Sequence, residues 1–217
     1  MTNESVSDWV FLLFNKTVEK NYQFTEESIF AREREAINCD SRINNTIALI
    51  SLLFDACRQQ LSGYFINLEH NFPLAAFSCY RSYLETAALC AWLSDPSIDA
   101  IERHARQLTY RANEQKFLIK PFEKAEDIEA LRKTMEVRLQ EYANEAREYG
   151  ITPVVDGKNN IKGIGKLIPT ISTLIDEYFE LKSLYSFLSN IIHGHQSEMT
   201  TAGGKVGEKV VIDGMVR

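Results

Sequence analysis

Apolar residues recur every three to four positions along most of this chain, which predicts helices almost throughout. The densest stretch is Asn71–Ser94, NFPLAAFSCYRSYLETAALCAWLS, where Arg81 and Glu85 are the only charges. Leu74, Phe77, Arg81, Leu84, Glu85, Ala88 and Trp92 share one helical face. Tyr80, Tyr83, Ala87, Leu89 and Ala91 make the remaining faces nearly as apolar, the pattern of an inner helix buried on all sides. Pro73 suits the first turn and Asn71 is a candidate cap.

Upstream, a helix is expected from Ser5 or Ser7 to about Tyr22. Another starts at Thr25 with the stripe Ile29, Ala36, Ile43, Ile47, Ile50, Phe54, Cys57, Leu61 and Phe65. The charged run AREREAINCDSR marks either its emergence from the core or a break near Asn38–Ser41. Downstream, Asp95 and Pro96 are read as the start of a helix with Ile98, Ile101, Ala105, Leu108, Ala112 and Phe117 inward. From Phe122 to Tyr149 a second amphipathic pattern follows. Between Glu102 and Glu148 ten acidic and ten basic residues are intermixed, so these two are expected as long outer helices laced by ion pairs. The narrow stripe of the second could alternatively be a dimer seam.

Glycines and prolines then break the pattern: ITPVVDGKNNIKGIGKLIPT predicts a loop or small hairpin. Thr170 or Ser172 caps a short helix, and LKSLYSFLSNIIHGH forms the last one, with Leu181, Leu184, Leu188 and Ile192 inward. Tyr185, Ser189 and His193 succeed one another on its flank at i,i+4 spacing. The expected fold is all-α: a single bundle of six or seven helices spanning 1–198, with a Gly-rich loop before the last two helices. Residues 199–217 form a tail, either a small Asp213–Gly214 hairpin or disordered.

Composition narrows the class. A chain of 217 residues, 45% hydrophobic, can bury one sizeable core. The N-terminus MTNESVSDWVFLLF bears acids where a signal peptide needs positive charge, and Arg81 and Glu85 would be costly in the middle of a membrane span. A cytoplasmic protein with no membrane association is expected. The four cysteines, at 39, 57, 79 and 90, form no C-x-x-C pair and are read as reduced core thiols. A net charge of −6 argues against a generally basic nucleic-acid-coating surface but leaves room for a local basic groove.

The candidate site residues are Arg81, Glu85, Arg103, Ser189 and His193. Arg81 and Glu85 can pair along their own helix, either as a structural ion pair or as part of a site. His193, beside Gly194, can cap the helix terminus or act as an acid or base. His193 and His195 are poorly spaced for helical metal ligation, and nothing like G-x-S-x-G surrounds Ser189, so no metal, no cofactor and no serine hydrolase are expected. The lysines at 158, 162 and 166 among glycines suggest phosphate contact, as in a small-nucleotide sensor, but their spacing matches no phosphate-loop motif.

One helix reads R-x-x-x-E-x-x-x-x-x-x-W-L (Arg81, Glu85, Trp92, Leu93) and the next starts E-R-x-x-R (Glu102, Arg103, Arg106). A late helix reads Y-x-x-L-S-x-x-x-H-G (Tyr185, Leu188, Ser189, His193, Gly194). Over about 73–195 this set resembles poorly characterised bacterial all-helical proteins similar to the HEPN superfamily. The resemblance implies a helical bundle, commonly a homodimer, in toxin–antitoxin, phage-defence or RNA-processing systems. It also implies metal-independent cleavage of RNA by an R-x(4–6)-H motif meeting at the dimer cleft, with an antitoxin or defence component as protein partner. His193 would stand for the motif histidine, but Ser186, Phe187 and Leu188 occupy the positions of its arginine. Either Arg81 or Arg103 supplies the cation from another helix, or the chain is a non-catalytic interaction module whose Arg81, Glu85, Ser189 and His193 are architectural. If the last helix packs on the central one, those four residues are expected to form one polar cluster.

Overall fold

A computed structural model of the chain describes residues 32–33, 41–119, 128–157 and 160–193. The helices expected before residue 32, the tail after His193 and His195 lie outside the described residues, as does the expected break near Asn38–Ser41, except for Ser41 itself. Among the described residues there are six helices and one two-stranded sheet, so the fold is all-α. No described helix is long and apolar enough to cross a membrane. Its contacts divide the chain into two compact units interleaved in sequence. One includes Leu52–Trp92 and the segment from Thr170 onward; the other includes Gln23–Ser51 and Leu93–Pro169.

In the first unit, α1 (Ser41–Glu69, whose first turns belong to the other unit) ends at Asn71, which adopts the left-handed conformation with φ 60°. Its N–H donates to the Leu68 carbonyl at 3.1 Å, and the Phe72 N–H donates to that of Asn67 at 2.7 Å. Asn71 therefore closes α1 instead of capping the next helix, because Asn tolerates left-handed backbone better than other non-glycine residues. The buried side of α1 matches the expected stripe only in part: Cys57 is buried as expected, but Leu53 takes the buried position beside Phe54, which is 38% exposed. Burial pushes the Cys57 thiol up to about 12, with Cys90 adding to the effect, as suits a reduced core thiol.

Helix α2 (Pro73–Ser94) starts on Pro73, as expected. Ala76, Phe77, Leu84, Ala88, Trp92 and Leu93 are buried, but Leu74 is exposed and most positions from Cys79 to Ala91 are only half-buried. The helix is less enclosed than its apolar sequence suggests. Gly63 lets α1 approach α2 closely, since a Cβ there would come within 3.1 Å of Cys79 Sγ. After Thr170, whose hydroxyl accepts the Thr173 N–H at 3.2 Å, α5 (Ile171–Phe179) buries Leu174 and Ile175. It packs against α6 (Lys182–Ile192), which buries Leu188 and Ile191.

In the second unit, Asp99 is the true cap of α3 (Ala100–Ile119), its carboxylate accepting the Glu102 N–H at 2.8 Å. Asp95, the expected cap, instead holds Ser97 through the backbone N–H at 2.9 Å and the hydroxyl at 2.6 Å, so the helix starts four residues after Pro96. Helix α4 (Ile128–Glu148) buries Leu139, Ala143 and Ala146 and otherwise keeps the solvated face expected of it. Helix α3 differs: besides Ala105 and Leu108 it buries Arg103, His104, Arg106, Gln107 and Thr109. The expected loop is a small antiparallel hairpin of β1 (Pro153–Val155) and β2 (Ile161–Ile164), with Pro153 opposite Ile164 and an irregularity after Val154. Thr109 anchors it, accepting the Ile164 N–H and donating to the Ile164 carbonyl, both at 2.8 Å. Ile164 thereby joins Ala105, Leu108, Ala143, Ala146 and Ile151 in the core of this unit.

Candidate functional site

Arg81 lies mid-helix in α2, and Glu85 follows one turn later, so the two side chains meet on one face. Arg81 Nε lies 3.0 Å from Glu85 Oε1, an ion pair at that distance and not an aligned hydrogen bond. Helix α6 supplies the rest of the cluster. The Tyr185 hydroxyl donates to the same Glu85 Oε1 at 2.9 Å, and the Arg81 Cζ stands 5.6 Å from the centre of the Tyr185 ring. Two turns further along α6, His193 Nε2 lies 3.4 Å from Arg81 Nη1. An arginine only donates, so as a hydrogen bond this contact makes the facing histidine nitrogen the acceptor, the arrangement of the tautomer with its proton on Nδ1.

The expected halves of the cluster do meet, with one change of membership. Arg81, Glu85 and His193 come together, and Tyr185 completes the set. Ser189 lies between Tyr185 and His193 on α6 and contributes its carbonyl, which accepts the His193 N–H at 3.0 Å at the helix terminus. In the sequence Tyr185 stands first in the i,i+4 series Tyr185–Ser189–His193 and heads the Y-x-x-L-S-x-x-x-H-G pattern, with no sign that it meets Arg81 and Glu85. Choosing within that series needed the rotation of α6 about its axis, which spacing alone does not fix.

The cluster is partly open. The Arg81 and Glu85 side chains retain 22% and 34% exposure, and His193 is exposed, so a ligand can reach the arginine and the imidazole. Burial works against the charge of Arg81, but Tyr185 and Glu85 outweigh it and hold its pKa above the ordinary value. The Tyr185 phenol is raised in turn, by burial first, with Arg81 opposing and Glu85 reinforcing the shift.

Arg103 is employed differently. Its side chain is 1% exposed. Nε and Nη2 donate to the Glu33 carboxylate at 3.0 Å, Nη1 to the Leu93 carbonyl at 2.6 Å, and Nη2 also to the carbonyls of Asp95 at 3.0 Å and Ile98 at 3.3 Å. Those carbonyls belong to the last residues of α2 and the turn that follows, so this guanidinium ties down the backbone from Leu93 to Ile98. Of the two arginines proposed to supply a cation beside His193, Arg81 is the one in contact with it. Neighbouring charges on α3 are likewise engaged: Arg106 Nε meets Glu102 at 2.9 Å, and His104 Nε2 lies 3.1 Å from Glu145.

The basic loop is also paired off where described. Lys162 Nζ meets Asp156 at 3.1 Å and Lys166 contacts Glu102, while Lys158 lies outside the described residues. A cleft of about 390 Å³ between α4 and the hairpin, lined by Met135, Leu139, Gln140 and Ile161 among others, has mixed polar and apolar walls. Among the described residues no group of three or more His, Cys, Asp or Glu side chains is placed to hold a metal ion.

No curated protein and no solved structure matches the chain. Residues 47–202 match the model of a family of unknown function, DUF5677, a span that includes both halves of the Arg81–Glu85–Tyr185–His193 cluster. The match covers well over half of the sequence, and the chain belongs to the DUF5677 family.

Proposed function

We propose that this chain is a HEPN-like bacterial protein of the defence or toxin–antitoxin type, acting on RNA as a metal-independent ribonuclease. The observation that carries the reading is the contact of Arg81 with His193 at an accessible edge of the α2–α6 pair. It joins a fixed cation to an imidazole whose nitrogen can serve as a general base. In the proposed reaction the RNA phosphate draws the Arg81 guanidinium toward itself and so frees His193 Nε2. That nitrogen takes the ribose 2′-hydroxyl proton as the 2′-oxygen attacks phosphorus. Arg81 stabilises the added negative charge. The bond from phosphorus to the 5′-oxygen then breaks, leaving a 2′,3′-cyclic phosphate and a 5′-hydroxyl that takes its proton from solvent. Glu85 keeps Arg81 charged and oriented. A homodimer, with an antitoxin or defence component as partner, is part of the same proposal.

A non-catalytic interaction module is the second reading, and it draws on the way Glu85 and the Tyr185 ring flank Arg81, an arrangement that suffices to pin α6 to α2. One experiment separates the two. Purified protein is incubated with a mixed RNA pool in excess chelator. Cleavage that His193→Ala abolishes, with the melting temperature unchanged, supports the nuclease, since an exposed side chain of this kind contributes within about 0.5 kcal/mol to stability. No cleavage by the wild type, or a His193→Ala variant that unfolds, favours the architectural module.

A further inference from the structure

Arg81 is held on three sides, and Tyr185 is one of its supports and touches a second. The Tyr185 hydroxyl and Arg81 Nε share one oxygen, Glu85 Oε1, at 2.9 and 3.0 Å, while the ring of the same tyrosine faces the guanidinium at 5.6 Å. The remaining contact, Nη1 to His193 Nε2, is the longest of the polar contacts at 3.4 Å and the one most easily lost if the guanidinium turns. A long arginine side chain with open rotamers needs such supports to keep one orientation, and a glutamate at a partly exposed helical position needs one as well. Tyr185 lies on α6 and His193 caps its C-terminus eight residues later, so a single helix presents both the prop and the group that the propped arginine meets.

We infer that Tyr185 is a positioning residue: its hydroxyl fixes Glu85 and its ring fixes the plane of Arg81, so that Nη1 is delivered to His193. The consequence for RNA cleavage rests on the function proposed above; the positioning itself does not. The test is Tyr185→Phe, which keeps the ring and removes only the hydroxyl, measured in two ways. Long-range ¹H–¹⁵N spectra of the histidine side chains, assigned with His193→Ala, report whether the His193 proton sits on Nδ1. Wild type should show mainly that tautomer, and Tyr185→Phe should move the signals toward a mixture of tautomers. Glu85→Ala should produce the same movement, and adding Tyr185→Phe to it should change nothing more, because the two substitutions remove one chain of support. In the cleavage assay Tyr185→Phe should lower kcat about tenfold while KM stays within about twofold, the pattern of a misplaced transition-state contact.

Signals from Tyr185→Phe that superimpose on those of the wild type, with both proteins folded at the recording temperature, overturn the inference whether or not RNA is cleaved. Shifted signals together with a wild type that leaves RNA intact retain the positioning role and reject the nuclease.

Discussion

Arg81 and Arg103 are both arginines paired with a glutamate, each within its own unit of the chain, and they show what burial does to one chemical pair. Arg103 and Glu33 are 1% and 9% exposed, and the guanidinium donates to the carboxylate and to three backbone carbonyls. An ion pair so desolvated is tolerable only when every lone pair and proton is matched, so its partners define the local backbone and leave no room for a substrate. Arg81 and Glu85 keep 22% and 34% exposure, and their other neighbours are a tyrosine and a histidine, groups that move protons or stack. The desolvation cost there is smaller, and the pair can exchange one partner for a ligand without unfolding anything. The same residue types thus serve architecture in one unit and a candidate site in the other, and the deciding quantity is access to water.

The largest effect expected from this contrast is on Arg103. Arg103→Ala strands the Glu33 carboxylate in the core and should cost about 3–5 kcal/mol in urea unfolding. Arg103→Lys should recover less than half of that, because an ammonium cannot reproduce the planar fork that reaches Glu33 and three carbonyls. A loss below about 1 kcal/mol would show that the pair is not buried as described.

Arg81→Ala should behave in the opposite sense. Its stability should fall by no more than about 1 kcal/mol, as for other partly exposed pairs. The proposed RNA cleavage, in contrast, should fall by on the order of 10²–10³, as when a transition-state donor is removed. If stability falls as far as in Arg103→Ala, the contrast between the two arginines disappears.

The smallest effect is at Glu102 in the second unit. Burial alone would raise its pKa, but hydrogen bonds from Lys166 and Arg106 outweigh this and hold it below the ordinary carboxylate value. A depressed folded-state value adds stability at neutral pH that is lost as pH falls below the usual carboxylate range near about 4. Glu102→Gln should therefore unfold more easily than wild type at pH 7, by less than about 1 kcal/mol, and the difference should close on the acid side. A gap that persists at low pH would assign the effect to packing.

Much of the fold was legible. The helix on Pro73, the cap at Thr170, the hairpin or loop around Gly157–Gly165 and the two amphipathic helices α3 and α4 follow from period and turn chemistry, which are local. The misreadings are of another kind. Asn71 and Asp95 were each assigned to the helix that follows, but the hydrogen bonds of Asn71 close the helix before it, and those of Asp95 form a turn. A capping residue has two possible neighbours, and only the chain path selects between them. The pattern predicts α3 as an outer helix with a solvated face, yet Arg103, His104, Arg106, Gln107 and Thr109 are buried. Polar side chains enter a core only where distant partners such as Glu33 and the Ile164 backbone satisfy them, and those partners lie 70 and 55 residues away in sequence.

By itself, then, the sequence determined the helices, their order and the isolation of Arg81 and Glu85 on an apolar helix, because these depend on spacing within a few turns. Only the tertiary structure decided that α6 brings Tyr185 and His193 to that pair and that Arg103 is tied to the backbone. Those outcomes depend on the rotation of one helix against another and on which charges can be fully partnered away from water. Neither is written in the period of a single segment.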